Sequence, residues 1–274
     1  MRTARWIADH WVLGLGLLIL GYLLLPVAVV GALSVSRPSS RVSYDVGGFT
    51  LDHWRQPCGA PGLCESVLRS VQIGFAATAV ATVLGTMMAF GLTRHRFTGR
   101  AAAGILVFLP MATPEVVMGS SLLALFGATG VPLGAGTVVA AHVLFCLSFV
   151  VVTVRARLAG LPGDLLEAAA DLYAGPWAAF RTVTLPLALP GIGAAALLAF
   201  SLSFDDFIVT NFNAGTVTTF PMYVWGAAQR GIPPQVNVVG TAMFLLALVL
   251  VLVTSGVARR AHPEPGTRSG VPGR

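Results

Sequence analysis

Six stretches of this sequence are apolar for long enough to cross the hydrocarbon core of a membrane. They run Trp11–Leu33, Ser70–Thr93, Ala101–Phe126, Pro132–Val154, Leu185–Phe204 and Val238–Val257. A helix rises about 1.5 Å per residue, so roughly 20 apolar residues cover the ~30 Å of lipid interior. Only the third run holds a formal charge, Glu115. Only 10% of all residues are charged, against about 25% in a typical soluble domain. Helices satisfy their own backbone polar groups in lipid. A transmembrane barrel would instead alternate apolar and polar residues over about ten positions, and these runs are continuously apolar. The expected fold class is therefore all-α integral membrane, with six transmembrane helices.

Net charge is +6, but its distribution argues against nucleic acid, which needs a basic patch on one soluble face. All 17 basic residues are Arg. With both termini in the cytoplasm, twelve lie inside: Arg2, Arg5, Arg94, Arg96, Arg100, Arg155, Arg157, Arg181, Arg259, Arg260, Arg268 and Arg274. Five lie outside: Arg37, Arg41, Arg55, Arg69 and Arg230. That asymmetry obeys the positive-inside rule. The first run is longer than the roughly 7–15 apolar residues of a signal peptide, and no clear small-residue cleavage site follows it. It is read as an uncleaved span.

The expected organisation is a short cytoplasmic N-terminus (1–10), one membrane domain (11–260) and a disordered cytoplasmic tail (261–274) rich in Pro, Gly and Arg. Three connections are long: 34–69 outside, 155–184 inside and 205–237 outside. Cys58 and Cys64 flank a Gly- and Pro-containing turn in the first outer loop. An oxidising exterior permits a disulfide between them; two unpaired thiols are the alternative. With His53 they fall short of a zinc ligand set, so no metal site is expected. Cys146 reads as core packing.

The inner connection carries the most specific pattern, DLLEAAADLYAGPWAAFRTVTLPLALP from Asp164 to Pro190. Pro162-Gly163 ends the preceding structure. Asp164 is placed to cap a helix, with Glu167 at its third position, an Asp variant of the capping box. Leu165, Ala168, Ala169 and Leu172 share one helical face. Gly175-Pro176 breaks that helix and starts another, and the chain re-enters the bilayer at Leu185-Pro186. This order resembles the EAA loop of bacterial ABC importer permeases: E-A-A, three residues, Gly, nine residues, Ile, one residue, Leu-Pro. Glu167-Ala168-Ala169 and Leu185-Pro186 match, and Val183 stands for Ile. Tyr173 departs, because the family has Gly there, and Gly175 is the residue expected to take over the turn.

Further stretches resemble the same family: Leu109–Val117 in the third run, and Ser203–Phe207, Thr219–Trp225 and Gly231–Asn237, the last three similar to its spermidine/putrescine branch. The resemblance covers about 66–260. It implies the type I ABC importer transmembrane fold in a bacterial inner membrane. It also implies a coupling loop (155–184) that docks an ATPase through Asp164, Glu167, Ala168, Ala169, Leu172, Gly175, Leu185 and Pro186. The implied partners are two ATPase subunits, a second permease subunit (homologous or identical) and an extracytoplasmic solute-binding protein, with the lipid bilayer around them and no nucleic acid. No cofactor is expected on this chain; ATP and Mg belong to the ATPase subunits, and the chain is expected to be no enzyme.

Acidic groups inside spans are expensive and commonly functional. Counting along a straight helix from Ala101 puts Glu115 roughly 21 Å across, and the same count from Leu185 puts Asp205 and Asp206 about 29 Å across. All three then lie in the outer half, where carboxylates suit an arriving cation, and they are the candidate substrate pathway. Adjacent helical positions point about 100° apart, so only one of the two aspartates is expected to face the path. Alternatives remain: the aspartates as solvated span-end residues, and Glu115 as a local brace of a kink at Pro114. His142 is read as a hydrogen-bonded core residue rather than a proton relay, and Tyr223 and Trp225 as an interfacial belt.

The leading function is the permease of an ATP-driven polyamine importer. Permeases of this kind for ferric iron, thiosulfate or similar solutes are the alternative within the class. A proton-coupled secondary transporter using Glu115 and His142 is the alternative outside it; the inverted halves common in such folds are not visible. An intramembrane enzyme is a third class; the sequence holds no H-E-x-x-H motif, and Asp205 and Asp206 are adjacent rather than on separate helices.

Overall fold

The computed structural model describes residues 2–37, 48–161 and 164–261. The side chains of residues 2–10, 164, 166–167, 170 and 253–261 fall outside that description, as do Arg41, Pro162-Gly163 and the tail expected to be disordered beyond Ala261. All described elements are helical apart from one isolated bridge, Ser36 to Phe49. In order they are α1 (Arg2–Ser34), α2 (Asp52–Arg55), α3 (Leu63–Arg94), α4 (Arg100–Ala112), α5 (Glu115–Thr129) and α6 (Ala135–Ala159). There follow α7 (Asp164–Asp171), α8 (Pro176–Ala179), a π-helical segment (Phe180–Thr184), α9 (Leu185–Asp205), α10 (Ile208–Asn213), α11 (Phe220–Arg230) and α12 (Pro234–Ala261). Among the described residues five helical runs are long and apolar enough to cross a membrane, or six if α4 and α5 are one broken span.

The chain forms two compact units, one from its two ends (up to Pro61 and from Ala227) and one from Gly62–Gly226. In the first, α1 packs on α12 and α2 also packs on α12. The exit from α1 is held by Trp54, whose Nε1 donates to Ser34 Oγ at 3.3 Å, and by Arg37, paired with Asp52 at 2.6 Å. That guanidinium, with the Thr50 hydroxyl, holds the Asp52 carboxyl below its ordinary range. Most of α1 from Trp11 to Leu25 is exposed on all sides, as expected of a helix whose solvent is lipid.

In the second unit α3, α6 and α9 pack mutually. Small residues make this possible: Ala81, Ala89, Ala141, Cys146, Ala188, Ala195 and Ala199 are buried in one cluster with Val150, Val151 and Val154. Lipid tails are as apolar as a leucine, so close packing rather than water exclusion holds membrane helices together. Gly85 sits at a close approach of α3 and α6, where an added Cβ would lie 2.7 Å from Val150 Cγ1 and 2.8 Å from its Cβ.

Two features differ from the reading of the sequence. The third apolar run is not one helix. α4 and α5 are bent by 104° at Thr113-Pro114. Pro114 has no N–H to donate and disfavours helical geometry at the residue before it; Thr113 is extended, with φ −83° and ψ 129°. The straight-helix count that put Glu115 in the outer half therefore ends at Ala112. Second, the connection 205–237 is mostly helical. It holds α10, which packs against α5 and α6, and α11.

Gly85→Ala should destabilise the protein by about 1–3 kcal/mol through overpacking. Gly104→Ala, where nothing lies within 4 Å of the new Cβ, should be neutral or slightly stabilising. Thermal unfolding of the two purified variants in detergent checks this, and equal melting temperatures would refute the close-packing argument.

Candidate functional site: the helical loop and the polar break

The helical loop forms much as its residue pattern requires. α7 begins at Asp164, one residue earlier than the capping-box reading expects, so Asp164 is its first helical residue rather than its cap and Glu167 its fourth; the side chains of both lie outside the described residues. The face proposed for Leu165, Ala168, Ala169 and Leu172 is divided: Ala169 is buried, while Leu165 and Leu172 are 42% and 81% exposed. Pro176 starts α8 at its first turn. The π segment then carries the chain into α9 without interruption, at Leu185-Pro186. In the loop and α8, Leu172, Tyr173 and Trp177 are left as an exposed apolar surface.

The turn after α7 is made by Tyr173 itself. Its φ is +56°, the one left-handed non-glycine among the described residues, while Gly175 is extended at φ −61°. The expectation that Gly175 takes over the turn is corrected. The reason is the hydrogen bond that closes the helix: the Ala174 N–H reaches back to the Ala169 carbonyl at 3.0 Å. This is the six-to-one bond of a Schellman motif and requires the residue before Ala174 to be left-handed. Tyr173 meets no steric neighbour there, being 98% exposed.

The loop is fixed to the long helices by polar and aromatic contacts. Trp177 stacks on Phe180 with centroids 5.5 Å apart, and Phe180 meets Phe90 of α3 edge-on at 5.2 Å. Arg94 of α3 donates to Thr184 Oγ1 at 3.3 Å, and Arg157 of α6 donates to the Leu187 carbonyl at 3.0 Å. The Arg157 side chain crosses α9 over Gly191, where any Cβ would collide with it.

The candidate pathway acids separate. Glu115 is exposed, the first residue of α5 just after the bend. Asp205 is exposed and ends α9. Asp206 is buried, 9% exposed, in the break between α9 and α10. Its Oδ2 accepts the Thr210 N–H at 2.7 Å and the Thr210 hydroxyl at 2.8 Å, and its Oδ1 accepts the Val209 N–H at 3.4 Å. His142, on α6 and fully buried, lies with Nε2 2.9 Å from Thr210 Oγ1 and 3.3 Å from Asp206 Oδ2, and with Nδ1 2.7 Å from Ser203 Oγ on α9. Neither ring nitrogen is bonded to Glu115, with which it was paired in the proton-coupled alternative.

Below this group α10 is anchored again. Asn213 donates to the Val209 carbonyl at 2.9 Å and the Gly119 carbonyl of α5 at 3.3 Å, and Thr137 of α6 donates to the Asn213 carbonyl at 2.7 Å. Gly119 and Thr137 lie 94 and 76 positions from Asn213, and no motif marks them. Trp225 on α11 packs on Phe207 with centroids 5.2 Å apart. Cys58 and Cys64 are disulfide-bonded, and Cys146 is a free buried thiol.

Tyr173→Gly should stabilise the end of α7 by about 0.5–1 kcal/mol, since a left-handed non-glycine costs roughly 1–2 kcal/mol and the added chain entropy returns part of it. Tyr173→Val should do the reverse. Slower and faster hydrogen exchange at the Ala174 amide, respectively, is the measurement. No change in either variant would refute the strain.

Comparison with known proteins supplies the family. Residues 81–264 match the family described as "Binding-protein-dependent transport system inner membrane component". The chain is 35% identical over 240 residues to the spermidine/putrescine transport system permease protein PotC of Haemophilus influenzae, covering 87% of this chain and 93% of that one. It is 34% identical over 233 residues to the putrescine transport system permease protein PotI of Escherichia coli K12, covering 82% and 83%. Among solved structures it resembles a bacterial ABC transporter that imports the acidic polysaccharide alginate, with a TM-score of 0.69 at 14% identity over 95% of this chain and 99% of that one. It also resembles the MetNI methionine ABC transporter, with a TM-score of 0.59 at 16% identity over 74% and 96%. Identities this low speak to the fold alone. Apolar helices, the EAA-spaced helical loop and these matches together make the chain a member of the binding-protein-dependent transport system inner membrane component family, with an ABC importer transmembrane fold.

Proposed function

We propose that this chain is a permease subunit of an ATP-driven, binding-protein-dependent importer of polyamines. The observation that carries the reading is its similarity along more than four fifths of its length to permeases named for spermidine and putrescine. Glu115 and Asp205 are exposed carboxylates, and in this reading they face the pathway of a cationic solute. A polyamine loses water on entering a narrow path, and carboxylates offset that loss.

In this reading the ATP is hydrolysed by two separate ATPase subunits. A second permease subunit, homologous or identical, completes the pathway, and a solute-binding protein delivers substrate from outside. Both termini and the 155–184 loop are cytoplasmic. The exposed Leu172, Tyr173 and Trp177 are the apolar surface that meets the ATPase, with Glu167 nearby on α7. When ATP closes the ATPase pair, α7 and α8 move with it. Trp177 presses on Phe180 and so on Phe90 of α3, while Arg94 and Arg157 bind the start of α9 to α3 and α6. The loop and the three core helices then shift together, and the path opens toward the binding protein.

The test is uptake of labelled putrescine and spermidine by proteoliposomes holding the whole transporter, with its binding protein outside. Uptake should require ATP. Glu167→Lys should reduce it at least tenfold, the equivalent of about 1.4 kcal/mol, and weaken ATPase association while the chain still inserts. Uptake driven by a proton gradient without ATP would overturn the reading; ATP-driven uptake of ferric iron or thiosulfate in place of polyamines would overturn its substrate. A Cys placed at Gly48 should react with an impermeant reagent from outside and one at Ala178 should not. Equal labelling would refute the orientation.

A further inference from the structure

Asp205 and Asp206 are chemically identical neighbours, yet the fold treats them oppositely. Asp205 is exposed at the end of α9, and Asp206 is buried and fully engaged. An ionised Asp206 only accepts, which assigns the donors around it. Thr210 has one hydroxyl proton, and it goes to Asp206 Oδ2 at 2.8 Å. The Thr210 oxygen therefore accepts from His142, so His142 Nε2 carries a proton, directed at Thr210 Oγ1 and Asp206 Oδ2 at 2.9 and 3.3 Å. In the neutral ring Nδ1 is then an acceptor, and it takes the Ser203 hydroxyl at 2.7 Å. The result is a one-way relay from Ser203 through His142 and Thr210 to Asp206. It ties α6, α9 and α10 together at the one place where the α9–α10 backbone leaves the helix.

We propose that His142 is a positioning residue for substrate selection: by holding Asp206 inside through Thr210, it sets the turn that presents Asp205 alone to the pathway. A buried carboxylate that loses a donor bears the full cost of the missing bond. It recovers that cost by turning toward water. Asp205 precedes Asp206 by one residue, so a rotation of the Asp206-Phe207 turn swings Asp205 with it. His142 touches no substrate in this scheme; it acts on selectivity from inside the protein. The proposal rests on the polyamine reading and on Asp205 as a pathway carboxylate.

The test uses the complete transporter in proteoliposomes and reads the ratio of spermidine to putrescine uptake. Spermidine carries one more positive charge, so a displaced carboxylate penalises it more. A purely structural defect slows both alike. Asp205→Asn should lower the ratio about threefold, the size of an exposed ion pair. His142→Leu should lower it by a similar factor, and His142→Gln, which keeps an N–H donor, should restore it. The double variant His142→Leu/Asp205→Asn should be no worse than either single change, because both act through one carboxylate. Thr210→Val keeps the side-chain shape and removes the hydroxyl, so it should reproduce His142→Leu and decides the matter where that variant does not assemble. If Asp205→Asn keeps the wild-type ratio, the polyamine reading of Asp205 fails and takes this proposal with it. If Asp205→Asn lowers the ratio while His142→Leu and Thr210→Val leave it unchanged, or if the double variant is additive, only the positioning role falls.

Discussion

A backbone that stops being helical inside an apolar phase must find its hydrogen-bond partners within the protein, and the larger unit is arranged around two such places. At Thr113-Pro114 the break is made cheaply, because Pro114 brings no donor to be satisfied. At Asp206-Phe207 there is no proline. The freed N–H groups of Val209 and Thr210 are taken by the Asp206 carboxylate, and that carboxylate is in turn supported from α6 by His142. The same short stretch then presses α10 onto Gly119, where a Cβ would lie 2.8 Å from Phe212. The mutual packing of α3, α6 and α9 supplies the frame that makes both breaks tolerable.

What the sequence makes legible follows from the range of the signal. Long apolar runs are local, and five of the six appear as spanning helices, although two of these begin seven and nine residues earlier than expected, at Leu63 and Pro176. The helical loop is also local: Pro176 at a first turn and Leu185-Pro186 at the start of α9 can be read from spacing. The bend of 104° at Pro114 exceeds what a lone proline foretells, because its size is set by what α5 packs against, namely α10. α10 itself is six residues long and half polar, too short for any periodicity to mark it. The His142 bonds join residues 61 and 68 positions apart, and nothing in a linear chain announces that distance. Hence the reading of Asp205 and Asp206 stops at the statement that they differ, and only the fold says which is which.

Tyr173 shows the same division between local and distant causes. A helix that closes with a six-to-one bond demands a left-handed residue whatever side chain stands there. A glycine two positions on cannot relieve it, because the demand is fixed by the backbone count from Ala169 to Ala174. An exposed aromatic in that conformation carries a strain that a glycine would avoid, and it places a large ring at the tip of the loop.

The π segment Phe180–Thr184 has its own consequence. Its turn is wider than an α turn, since each N–H reaches back one residue further, so it holds one residue more than an unbroken helix would. It acts as a phase adjuster between α8 and α9. Helical residues advance about 100° each. Removing one residue from an ordinary α turn would swing the Trp177 face by roughly that angle, whereas the π turn absorbs its extra residue and keeps that face in register with α9. The angular setting of the loop against the core is thus stored in the length of five residues rather than in the identity of any one of them.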